Sequence, residues 1–164
     1  MGHSSDATAA GRTLYCELTS NREMGMVITK EPTRAHASLH RTAEVLSRNF
    51  IEALARQDFA ALAASFSSEA RFRALVPRGL REASGGVEAS SYFQGWFGAA
   101  ERIEVVDSSV KRMVDRYHLA WRLRVHDAQG QRLVEQQAYV TERDGQFVVF
   151  DLLCSGFRDE RPVD

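Results

Sequence analysis

Apolar positions recur every three or four residues between Ala35 and Arg56, with Leu39, Ala43, Leu46, Phe50 and Leu54 on one stripe. That period predicts a long amphipathic helix. The polar break "RQD" ends it, and Asp58 is placed to cap a second, shorter helix whose Phe59, Leu62, Ala63 and Phe66 face the same partner before "SSEA" stops it. In "ARFRALV" the period changes to two: Phe72, Ala74 and Val76 point one way, and Arg71, Arg73 and Leu75 the other. A strand limited by Pro77 follows. The glycine-rich stretch "PRGLREASGG" reads as a loop. After it, "VEASSYFQGWFG" sets Tyr92/Trp96 and Phe93/Phe97 four residues apart, a short helix with a heavy aromatic load.

Beyond Glu101 the alternation is that of strands. "RIEVVDSSVKRMV" predicts a long, bent or bulged strand, "RYHLAWRLRVHD" a second, "RLVEQQAYVTER" a third and "FVVFDLLCSGF" a last one, with turns at "AQGQ" and at Asp144-Gly145. Helices followed by hairpin-connected strands predict an α+β fold with the helices on one side of the sheet. Residues 1–34 show no sustained period and are expected to be a flexible N-terminal arm, with "MGMVIT" a possible short edge strand. The domain is expected at 35–158, with a C-terminal tail at 159–164.

Composition changes this picture little. With 164 residues, 44% of them hydrophobic, one domain with a substantial core is expected, which excludes disorder throughout. The formal net charge is -1 and the sequence shows no basic stripe, so nucleic acid is not an expected partner. All but two of the 21 basic residues are arginines, a bias that reflects composition and does not mark 19 separate anion sites. Cys16 and Cys154 lack the spacing of a zinc knuckle or redox pair. No signal peptide and no run of 18 apolar residues is visible, so a cytoplasmic protein without a membrane span is expected.

The helical opening, the corner "RQDFAALAASFSSEARF" and the close "LVEQQAYVTERDGQFVVFDLLCSGF" resemble the NTF2-like superfamily, in its SnoaL-like branch, over residues 36–157. The resemblance implies a cone: helices packed into a strongly curved antiparallel or mixed sheet that encloses a deep apolar pocket, often with dimerisation through the outer face of the sheet. Relatives include ketosteroid isomerases, scytalone dehydratase, limonene-epoxide hydrolase and polyketide cyclases. The isomerase Asp and Tyr positions fall on Ala74 and Phe50, so that machinery is missing. Arg122 matches the epoxide-hydrolase arginine, but Arg124 replaces its first Asp, and Asp151 is one residue out of register with its second; one step turns a strand residue to the other face.

The candidate catalytic residues are His118, Asp151 and Arg122. An imidazole titrates near neutrality. Asp151 interrupts the otherwise apolar "FVVFDLLC", and Arg122 has a fork of donors for an enolate or carboxylate. Each also has a structural reading. His118 and Arg122 share the strand face opposite Leu119, Trp121, Leu123 and Val125, Arg122 stands to pair with Glu135, and Asp151 to pair with His118 or an arginine. Candidate substrate-binding residues are Phe72, Tyr92 and Trp96, with Gln137 and Tyr139 on one face of their strand and Gln136 and Ala138 on the other; which set faces a cavity is open at this point. His36, His40 and His126 lack metal-ligand spacing with an acidic partner, and "SGG" is no phosphate loop. No metal or cofactor is therefore expected.

These residues and the resemblance together suggest cofactor-independent acid-base catalysis, namely cyclisation, dehydration or isomerisation, on a small apolar or aromatic molecule by a homodimer. A noncatalytic ligand-binding or assembly protein of the same fold is the first alternative. It predicts an apolar cavity in which no titratable group faces the ligand. A ring-hydroxylating dioxygenase small subunit is the second.

Overall fold

The computed structural model describes residues 34–160, with side chains from Thr42 onward. Expectations for the arm, "MGMVIT", Cys16 and the His36 and His40 side chains lie outside the described residues. Helix α1 spans Arg34–Ala55 and α2 Phe59–Ala64, joined by a corner in which Gln57 takes a left-handed φ of 56° and Asp58 accepts from the Ala61 amide at 2.9 Å. That cap satisfies one of the amides that the first helical turn leaves unpaired.

Strand β1, Phe66–Val76, starts where the second helix was expected to run on: Phe66 and "SSEA" are strand, not helix. The expected loop "PRGLREASGG" is in fact β2, Gly79–Ser84, a hairpin partner of β1 from Arg71↔Ser84 to Val76↔Gly79. Gly79, at φ +100°, makes the turn. Helix α3, Gly85–Phe97, begins at a glycine pair because backbone packs on backbone there: a Cβ on Gly86 would lie 2.0 Å from the Ala63 carbonyl oxygen. Strands β3 (Arg102–Met113), β4 (Arg116–Asp127), β5 (Gly130–Arg143) and β6 (Gln146–Cys154) follow as hairpins, with the expected irregularity of β3 between Val105 and Asp107. A two-residue β7, Arg158–Asp159, pairs with β5.

The sheet order is β2-β1-β6-β5-β4-β3, with β1 and β6 parallel and the other neighbours antiparallel. The α+β plan and the mixed sheet are as expected, but the strong curvature is not. The sheet is open, ends in two edges, β2 and β3, that do not pair, and is neither closed nor strongly curled. The three helices and a cluster of rings supply the cover that a rolled sheet would otherwise give itself.

That cluster fills the middle of the inner face. Phe50 of α1 is fully buried, with ring centroids of Phe150 at 5.1 Å, Phe93 at 5.4 Å, Phe147 at 5.7 Å, Phe66 at 5.9 Å and Trp121 at 6.0 Å, most of them edge-on. The position the isomerases give to a tyrosine is here the hub of the core. Ala74, at their aspartate position, is buried in β1 as well.

Candidate functional site

A cavity of about 610 Å³ opens at the other end of the inner face, where the last turn of α3, the β1–β2 turn, β5 and the bend after β6 converge. The bend creates it. Strand β6 stays paired with β5 as far as Cys154↔Gln136, and β7 resumes that edge only at Arg158↔Leu133. Between them Ser155 stays anchored, its amide donating to the Glu135 carbonyl and its Oγ accepting from the Glu135 amide, each at 2.9 Å. Gly156 then turns the chain at φ +78°, so close to the β1–β2 turn that a Cβ would stand 2.7 Å from Cγ of Pro77. Phe157 swings inward and meets Phe97 edge-on at 5.6 Å.

The wall combines an aromatic set of residues with a cationic one. Trp96, Phe97 and Phe157 form the first part; Arg78, Arg81, Arg132 and Arg158 the second. Arg132 lies with its guanidinium carbon 4.6 Å above the Phe157 ring and is ion-paired to Asp127. The Asp127 carboxyl is held below its usual range, first by the Gln129 amide, which donates to it at 2.8 Å, and then by Arg132. Nε of Arg132 is buried and has no hydrogen-bond partner among the described residues.

Gln136 also lies on this wall and is only 1% exposed. Its Oε1 accepts from Nε1 of Trp121 at 2.9 Å. An indole nitrogen only donates, so the contact fixes which way the amide faces. Nε2 is left buried and without a partner among the described residues.

The candidate catalytic residues lie elsewhere. Leu119, Trp121, Leu123 and Val125 are buried on the inner face of β4, which puts His118 and Arg122 on the outer face. Gln136 and Ala138 face inward on β5, and Gln137 and Tyr139 outward. His118, Tyr139 and Asp151 form one cross-strand row on neighbouring strands. His118 and Tyr139 rings sit 5.0 Å apart, and His118 Nε2 is 3.1 Å from Gln137 Oε1. Asp151 is held by Arg71 at 3.2 Å and Arg116 at 3.8 Å, and Arg122 donates to Glu135 at 2.7 Å. The structural pairings considered for Arg122 and Asp151 are therefore formed, Asp151 with arginines.

The three aromatic candidates are on the inner side but not equivalent. Phe72 is fully buried, stacked at 6.0 Å on Tyr92 and at 5.8 Å on Phe150. Half-buried Tyr92 donates its hydroxyl to the Glu82 carbonyl at 3.2 Å and stacks on Trp96 at 5.9 Å. Trp96 alone of the three reaches the cavity wall. The residues that sequence reasoning passed over are Arg132, Phe157 and Arg158, while Gln136 was left as a member of one of two alternative faces. One signal was present: Gln136 occupies an inward position in the alternation Val134, Gln136, Ala138, Val140, where an apolar residue would ordinarily stand.

No described helix is long and apolar enough to cross a membrane, and no group of three or more His, Cys, Asp or Glu able to hold a metal occurs among the described residues. No family model and no curated protein matches the chain in sequence. Solved structures do match it. AusH from Aspergillus nidulans is 17% identical with a TM-score of 0.59, over 78% of this chain and 90% of that one. An LEH-like epoxide hydrolase of M. tuberculosis is 11% identical with a TM-score of 0.55, over 70% and 84%. An NTF-2 like protein of unknown function from Burkholderia xenovorans LB400 is 14% identical with a TM-score of 0.54, over 76% and 89%. At such identities a likeness carries the fold alone, and it agrees with the element order and sheet described above: the chain has the NTF2-like fold.

Proposed function

We propose that this protein binds a small apolar or aromatic molecule in the cavity between α3 and the bend after β6. The observation that carries the reading is the cavity itself: about 610 Å³, within the range of small-molecule sites, with Trp96, Phe97 and Phe157 on its wall. Its wall holds no carboxylate or imidazole among the described residues, but with four arginines and Cys154 it is not the wholly apolar cavity expected of a binding protein of this fold. Gly95 supplies the test. It lines the cavity, and a Cβ there would meet nothing within 4 Å, so Gly95→Leu starts its side chain in open space and narrows the cavity. Calorimetric titration with naphthalene-2-carboxamide or naphthalene-2-carboxylate should show binding to the parent protein and none to Gly95→Leu, whose melting temperature should hold or rise because a helical glycine is replaced. Binding that survives the substitution overturns the reading.

Proton-transfer catalysis on the same class of molecule is the second reading, supported by the likeness to the LEH-like epoxide hydrolase. Its acid-base groups are His118 and Asp151, which lie on the outer face. A drop of about 100-fold in turnover for Asp151→Asn would carry it; an unchanged rate on a true substrate would remove Asp151 from any site.

The outer face is also where two copies would pair. Leu75, Leu80 and Leu153 are 52%, 46% and 46% exposed in one cross-strand row with Gln137. Such a cluster is costly to leave in water. Sedimentation should report a dimer that Leu75→Glu with Leu153→Glu dissociates; a monomer of 18.4 kDa at micromolar concentration overturns the pairing.

A further inference from the structure

We propose that the molecule taken by this cavity carries a carboxylate, held at the arginine-lined end and at the Gln136 amide while its apolar body lies against Trp96 and Phe157. The inference rests on the reading of the cavity as a small-molecule site and adds the ligand's charge and functional group.

Four guanidinium groups line the cavity and no acidic side chain does, among the described residues. Only Arg132 is neutralised there, by Asp127. Arg81 is turned back on its own turn, donating to the Leu80 and Arg78 carbonyls at 2.9 and 3.3 Å, and neither Arg78 nor Arg158 has an ion pair among the described residues. Like charges gathered on a concave wall repel one another and attract an anion.

The second observation is independent of net charge. Two residues that line the cavity, Arg132 and Gln136, each carry a donor, Nε and Nε2, that is buried just beneath the wall and has no partner among the described residues. Buried N–H groups are almost always paired, and two such groups on the wall of one cavity point to a ligand acceptor. Both sit on planar groups. A carboxylate is planar, offers two acceptor oxygens and matches a guanidinium edge. A phosphate monoester carries more charge and more acceptors than these two donors can meet.

The experiment is calorimetric titration of the full chain with naphthalene-2-carboxylate, naphthalene-2-carboxamide and 2-naphthyl phosphate. The carboxylate is expected to bind at least tenfold more tightly than either of the others, and more weakly as salt is raised. In Arg78→Gln with Arg158→Gln, both exposed positions, that preference should fall severalfold while carboxamide affinity stays unchanged. In Gln136→Glu the acceptor for Trp121 is kept and the free amide becomes an anion, so carboxylate binding should be lost. Equal affinity for carboxylate and carboxamide overturns the inference and leaves the cavity reading standing, and tighter binding of the phosphate overturns the carboxylate assignment in the same way. No binding of any of the three, or binding untouched by Gly95→Leu, overturns the cavity reading together with the inference.

Discussion

The inner face of the sheet is built in two ways. At the α1 and α2 end, five rings close around Phe50, and every one of them is buried at 3% exposure or less. At the α3 end the same face carries Arg132, Gln136 and the bend of Ser155 to Phe157, and a cavity opens. One end gains its cohesion from interlocking apolar surface. The other leaves donors unspent and charges gathered, an arrangement that costs stability. Within one sheet, then, burial separates the region that holds the fold from the region that carries the cavity.

The sharpest test of this contrast is to remove the hub. Phe50→Ala deletes a fully buried ring with five aromatic neighbours and should destabilise the protein by about 3–5 kcal/mol in a denaturant titration. A loss below about 1 kcal/mol would mean that the ring cluster is not the seat of stability. A smaller effect is expected at the junction of the two regions. Gly156→Ala places a Cβ against Pro77 and forces a left-handed φ on alanine, which should cost about 1–3 kcal/mol and weaken ligand binding by shifting the bend. Unchanged stability would show that the bend moves freely.

At the cavity end the expected effect on stability is close to nothing. Arg78→Gln and Arg158→Gln should each shift the unfolding free energy by less than about 0.5 kcal/mol, because both side chains are exposed and unpaired among the described residues. A clear loss would place these arginines in the fold.

The smallest expected effect is confined to acid. Glu160 accepts from Arg124 at 2.7 and 2.8 Å and from Gln131 at 2.6 Å, and the Arg124 guanidinium holds its carboxyl down from its ordinary 4.5 to about 2. A carboxyl with a lowered folded-state pKa binds its proton more readily when unfolded, so its contribution is complete above pH 4.5 and is lost as pH falls toward 2. Glu160→Gln should therefore flatten the fall of stability within that window and leave its slope above it unchanged. A slope that is the same in both proteins across the window would show that the Arg124 pair does not tie the C-terminal segment to the sheet.

Much of the fold is legible in the chain because it is written in periods. The stripe through Ala43, Phe50 and Leu54 gives α1, and the alternations Leu119/Trp121/Leu123/Val125 and Val134/Gln136/Ala138/Val140 group the residues that share one face of β4 and one face of β5. Periodicity says which residues share a face; it does not say which face meets the helices when both carry bulky residues, as at Gln136/Ala138 and Gln137/Tyr139. Nor does it reveal β2, whose six residues alternate weakly at an exposed edge, or the openness of the sheet, which depends on whether β2 and β3 meet.

The sequence by itself determined the helix and strand periods, the turns at "AQGQ" and Asp144-Gly145, and the aromatic payload of α3, since all of these follow from neighbours along the chain. Tertiary structure alone decided the site. It took β6 away from β5 at Cys154, returned the chain at Arg158, and so gathered Arg78 and Arg81 from one hairpin, Trp96 from a helix, Arg132 and Gln136 from a central strand, and Phe157 from the bend. Those residues share no spacing. A cavity is formed by segments distant in sequence, and where its donors end up depends on which pairings persist and where one of them gives way.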